Sequence, residues 1–131
     1  MALPNEEVQY LEERGLVYNI FEEANMTCVI FPAFALPSGL SLPTSDLLIR
    51  LSPGFPDVPP DMWWFNPPVS RSDGKTIPAT EHSENHVGRL WQRWSRHLNA
   101  GQWQSGIDGL QTFLAMIQRE LQKAAEQELV N

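Results

Sequence analysis

Six prolines fall within the eighteen residues SPGFPDVPPDMWWFNPPV, positions 52–69, and no other feature narrows the possible folds as much. Proline has no backbone N–H, fixes its own φ and pushes the residue before it away from helical geometry. The middle of the chain must therefore extend or turn, and helices belong on either side of it. Within the segment only MWWF is free of proline and long enough for a short strand.

The flanking sequence supplies the other elements. LVYNIF (16–21), MTCVIFPAFAL (26–36) and SDLLIRL (45–51) are short apolar runs that read as strands, separated by the turn-forming stretches EEAN and PSGLSLPT. Connections this short favour an antiparallel meander, and MWWF makes it four-stranded. Pro4 to Arg14 reads as a short helix, with Glu6 and Glu7 at its positive end and Gly15 as its stop. Ile107, Leu110, Phe113, Leu114, Ile117 and Leu121 recur at helical spacing and predict an amphipathic helix over 105–129, with Ser105 and Asp108 as a capping box. Residues 70–101 are polar, hold all three histidines and show no period, so they read as a long ordered loop of the kind that carries function. The expected class is α+β, as one domain over 1–131 with the C-terminal helix packed on the sheet.

Composition excludes several functions. A net charge of −7 offers no electrostatic case for a nucleic-acid partner. One cysteine, Cys28, forms no intramolecular disulfide and no cysteine-rich zinc motif. It lies in the apolar run MTCVIF, where a free cysteine behaves as a small buried hydrophobe. The N-terminal MALPNEEVQYLEERG is acidic where a signal peptide would be basic, and the longest apolar run, CVIFPAFALP, is broken by Pro32 and too short for a bilayer. A cytoplasmic protein without membrane contact is expected.

The order of these elements, together with Phe55, Pro56, Pro59 and Pro60 in FPDVPP, resembles the ubiquitin-conjugating enzymes, which follow the same aromatic-Pro-x-x-Pro-Pro spacing with a hydrophobic strand. The fuller set LPSG, FPDVPPDMWW, GRLWQRWSRH and WQSGIDGL is similar to a bacterial branch of that superfamily that lacks the usual cysteine and is associated with ubiquitin-like proteins and their activating enzymes. In the family the catalytic cysteine stands eight residues before a tryptophan that leads into the long helix. Counting back from Trp103, that position is Ser95. The family's His-Pro-Asn is missing; Asn85 stands in the context ENHV, so the motif assigns no oxyanion-stabilising asparagine.

The resemblance implies an acyl carrier that accepts the C-terminus of a ubiquitin-like protein from an activating enzyme, as an oxyester on Ser95, and passes it to an amine. Serine at its free pKa is a weak nucleophile and needs a general base within hydrogen-bond reach. His97 is the preferred base, with His82 and His86 as further candidates. Arg93, Arg96, Trp94, Asn99 and Trp103 are the candidate partner-binding residues; the arginines could equally pair with nearby carboxylates, and the indoles could equally be core beneath the loop. No cofactor or metal is expected. Two rival readings are a catalytically silent variant that only binds a ubiquitin-like protein or an activating enzyme, and, more weakly, a metal-dependent hydrolase built on His82 and His86 in HSENH.

Overall fold

The computed structural model describes residues 3–98 and 101–126. The elements run in the order α1 (Asn5–Glu13), β1 (Asn19–Glu23), β2 (Met26–Ala35), β3 (Thr44–Leu51), β4 (Trp63–Asn66), β5 (Ser83–His86), β6 (Arg89–Trp94) and α2 (Leu110–Glu126). All strands join one antiparallel sheet in the order β1-β2-β3-β4-β6-β5. The class is α+β, as expected. FPDVPP forms the turn after β3 and delivers the chain into β4.

Strand side chains alternate between faces, and this sheet buries apolar residues on both. Val29 and Phe31 of β2, Leu47, Ile49 and Leu51 of β3, Trp63 and Phe65 of β4, and Trp94 of β6 form the main core with Leu11 of α1 and Leu110, Phe113, Ile117 and Leu121 of α2. The intervening residues Cys28, Ile30, Leu48, Trp64 and Trp91 make a second, smaller cluster on the opposite face. The one-residue offset decides the fate of the indoles: Trp94 stacks on Trp63 beneath α2, while Trp91 faces the other way and donates its Nε1–H to the carbonyl of His86.

The sheet has six strands rather than four, because the expected loop contains the β5–β6 hairpin. Its two-residue turn is Val87–Gly88, with φ of 51° and 71°. Two positive φ values match the twist of paired strands and define the tightest kind of hairpin, but valine is a rare occupant of the first position. β5, Ser83–His86, also has no apolar residue to mark it as a strand. It is held by its ladder to β6 and by Glu84, which accepts hydrogen bonds from Trp64 and Arg93. At the other edge β1 lies three residues later than expected, starting at Asn19 instead of residue 16.

α2 begins at Leu110, not at Ser105. The capping box does not form: Ser105 donates to Asp57 in the proline-rich turn, and Asp108 accepts from the N–H of Gln104 and the hydroxyl of Thr112. Ile107, placed on the buried stripe by its spacing, is 75% exposed. The helix N-terminus is satisfied across the fold, since the Leu110 N–H donates to Glu7 Oε1 of α1 at 3.0 Å. At Gly109 a Cβ would lie 2.3 Å from Glu7 Oε2, so a side chain there would push the Glu7 carboxylate from its place beside the Leu110 N–H. Residues 127–131, the end of the expected helix, lie outside the described residues.

Candidate functional site

β4 pairs with β6 in a register that sets Trp63 opposite Trp94. Continuing that antiparallel register past the last pair brings Met62 level with Ser95, and Asp61 level with Arg96. Two segments far apart in sequence thus leave the sheet side by side: Pro60–Asp61, emerging from the proline-rich turn, and Ser95–His97, emerging from β6. Ser95 is fixed on its other side by its own N–H, which donates to the carbonyl of Ala79 at 3.0 Å. The expected long loop does fold back on Ser95, through Ile77, Pro78 and Ala79.

Three side chains line up at this junction. Ser95 Oγ lies 3.2 Å from His97 Nε2, and His97 Nδ1 lies 2.6 Å from Asp61 Oδ1. In the tautomer that satisfies both contacts, the hydroxyl donates to Nε2 while Nδ1–H donates to the carboxylate. Nε2 is then left as an acceptor aimed at the serine proton, the arrangement a serine nucleophile requires. His97 and Asp61 are open to solvent, with 59% and 60% of their side chains exposed. A surface ion pair contributes little to stability, so the contact matters for the orientation of the imidazole.

The remaining candidate residues divide cleanly. Arg96 donates to Glu120 of α2 at 3.1 Å and to the Pro78 carbonyl at 2.9 Å, and lies over the Trp94 ring. It forms the shared wall of two grooves beside α2. One, of about 760 Å³, is bordered by Ser95, Ile77, Pro78, Ala79, Ala124 and the stem of Lys123. The other, of about 310 Å³, lies between His97, Trp103, Phe113 and Met116. Trp94 is fully buried and packs the core, so it is not a contact surface. Trp103 is half-buried, donates its N–H to the Pro56 carbonyl at 2.9 Å and packs at a tilt on Phe55, 6.4 Å between ring centroids, which ties the proline-rich turn to the approach of α2. Asn99 lies outside the described residues.

His86 does not approach Ser95. It stands at the turn end of the hairpin opposite Arg89, and the six steps along the chain from Arg89 to Ser95 span roughly 20 Å at the usual strand rise. There it contacts Glu84 at 3.1 Å and Glu23 at 3.6 Å and packs edge-on against Trp64. Arg93 joins the same group through Glu84 at 2.8 Å, so it too faces away from α2. His82 is exposed and meets β6 through its carbonyl, which accepts from the Arg93 N–H. Among the described residues no group of three His, Cys, Asp or Glu side chains is placed to hold a metal ion.

Titration separates these groups further. Burial pushes the Glu84 carboxyl up, but hydrogen bonds from His86, Trp64 and Arg93 outweigh it and hold the group below its ordinary range. Burial pushes the Cys28 thiol above its ordinary range, against the opposing effect of Arg50. Cys28 is fully buried, and a thiol so held is neither accessible nor ionised near neutrality. Asp61 had escaped sequence reasoning, because its contact with His97 spans 36 residues and exists only through the β4–β6 register.

The α1–meander–proline-rich turn–α2 order is the one that the resemblance to E2-like proteins implies. The comparison with family models agrees, matching prokaryotic E2 family E over residues 3–124, and the chain belongs to that family. Neither the curated proteins nor the solved structures gave a significant match. Among the described residues no helix is long and apolar enough to cross a membrane.

Proposed function

We propose that this chain is a ubiquitin-conjugating-like acyl carrier whose acceptor is Ser95. The observation that carries the reading is the Asp61–His97–Ser95 alignment, at 2.6 and 3.2 Å, at the position where the family resemblance expects a nucleophile. The carrier takes the C-terminal acyl group of a ubiquitin-like protein from an activating enzyme. As Ser95 Oγ attacks the acyl carbonyl, His97 Nε2 takes its proton; the thiolate of the activating enzyme leaves, and an oxyester forms. Asp61 positions the imidazole and stabilises its protonated form. An amine then displaces Ser95, with His97 returning the proton to the serine oxygen.

Family membership supports a conjugating role in general, and the relay favours the active reading over a silent binder, which has no use for an oriented base. The test is the chemistry of the adduct. With activating enzyme, its ubiquitin-like partner and ATP, the wild type should form an adduct that survives thiol reductant and is cleaved by strong base. Ser95→Ala should form none, and Ser95→Cys should form one that thiol removes. A wild-type adduct that thiol removes, or one that persists in Ser95→Ala, would exclude the serine.

A further inference from the structure

We infer that the chain is also a serine esterase in its own right, hydrolysing small esters with apolar acyl chains at Ser95 without any protein partner. The inference rests on the same relay as the carrier reading but concerns a different second step, with water in place of the amine.

Three observations converge. The first is that the relay is complete within one chain, since Ser95, His97 and Asp61 all belong to it and need no partner to align. The second is the groove of about 760 Å³ that starts at Ser95. Its walls include Ile77, Pro78, Ala79 and Ala124, and its size falls within the range that holds a small-molecule ligand. An acyl chain laid along it would bring its carbonyl to the serine. The third is the exposure of His97, which leaves water free to reach Nε2 once the acyl group has replaced the serine proton.

The chemistry closes. In the first half-reaction the Oγ–C bond forms and the bond between the acyl carbon and the alcohol oxygen breaks; the proton passes from Oγ to Nε2 and on to the departing alcohol. In the second, water forms the new O–C bond, the Oγ–C bond breaks, and the water proton passes through Nε2 back to Oγ. The sum is ester plus water giving acid plus alcohol. A carrier with this property discharges slowly when no amine arrives, which limits the lifetime of its loaded form.

The test uses the purified chain alone with 4-nitrophenyl acetate and 4-nitrophenyl hexanoate. The expected result is turnover with hexanoate preferred, lost to background in Ser95→Ala and reduced on the order of a hundredfold or more in His97→Gln. Both variants should melt as the wild type does. Pro78→Trp, which narrows the groove, should slow hexanoate much more than acetate. Asp61→Asn should lower kcat while leaving KM in place, as expected of a positioning residue and not of a general loss of fold. A fluorophosphonate probe should label Ser95. Equal hydrolysis by wild type and Ser95→Ala, or absence of both turnover and labelling in folded wild type, would overturn the proposal. Loading by the activating enzyme without ester hydrolysis would overturn the esterase and leave the carrier, and hydrolysis without loading would do the reverse.

Discussion

The two ends of β6 each carry a histidine beside a carboxylate, and they are built for opposite purposes. At the hairpin end His86 is only 12% exposed, lies between Glu84 and Glu23, and packs edge-on against Trp64. Both ring nitrogens face acids, and Glu84 also holds Trp64 and Arg93. At the other end His97 has one carboxylate on Nδ1, one hydroxyl on Nε2, and an open path to solvent. The difference teaches that a histidine–carboxylate pair alone says little. A base becomes usable when one nitrogen is fixed by the acid and the other is left facing a proton worth moving.

The largest expected effect sharpens this contrast. His97→Ala should slow acyl loading by about 10²-fold or more, the usual contribution of a general base, and shift stability by no more than ~0.5 kcal/mol because the side chain is exposed. His86→Ala should do the reverse, leaving loading near wild type while lowering the denaturant midpoint by an amount equivalent to ~1–2 kcal/mol through lost packing and hydrogen bonds. Single-turnover loading and urea unfolding on both variants check this; slowed loading in His86→Ala, or normal loading in His97→Ala, would undo the contrast.

Asp61→Asn comes next. Its loading rate should fall on the order of tenfold to a hundredfold, less than for a buried triad carboxylate because solvent can partly replace it. Melting should hardly change.

Glu84→Gln should cost about 1 kcal/mol, from weakened hydrogen bonds to a partly exposed group, with loading intact. The pH dependence has a definite sign. Because the folded state holds Glu84 below its ordinary range, its contribution is present above that range and lost as pH falls through the lowered value. The gap in melting temperature between wild type and Glu84→Gln should therefore narrow in acid.

The smallest effect concerns Glu7, where the sign reverses. Burial raises its pKa, against the Leu110 N–H that lowers it, so ionisation costs stability at neutral pH and the cost is relieved as pH falls below the carboxylate range. Glu7→Gln keeps an acceptor for Leu110 and should be neutral or more stable by up to ~0.5 kcal/mol at pH 7, with the advantage lost in acid. A clear loss of stability at neutral pH would show that the charge itself caps α2.

Much of the frame was legible in the sequence because it rests on local patterns. The prolines excluded helix from the middle, β2 and β3 announced themselves as short apolar runs between turn signals, and α2 by its 3.6-residue stripe from Leu110 onward. The β5–β6 hairpin was hidden because Ser83–His86 is wholly polar and its turn uses a valine at positive φ. Ile107 fitted the helical period, but helix needs a start, and the chain turns through Gly106 and Gly109 before Glu7 provides one. The sequence offered Ser95 and His97 as candidates in one short segment, and the two side chains meet at 3.2 Å. It could not find Asp61, whose place depends on strand register, and it misplaced His86, which is nine positions from Ser95 in sequence but a strand's length away in space.

Mapping the acyl linkage by mass spectrometry locates the acceptor atom. After brief loading with activating enzyme, ubiquitin-like partner and ATP, followed by proteolysis at mildly acidic pH to preserve esters, tandem mass spectrometry should find the C-terminal remnant on Ser95. His97→Gln should remove that modified peptide, and His86→Gln should not. A remnant on Thr80, Ser83 or a lysine of wild type, or one on Ser95 that is undiminished in His97→Gln, would contradict the account.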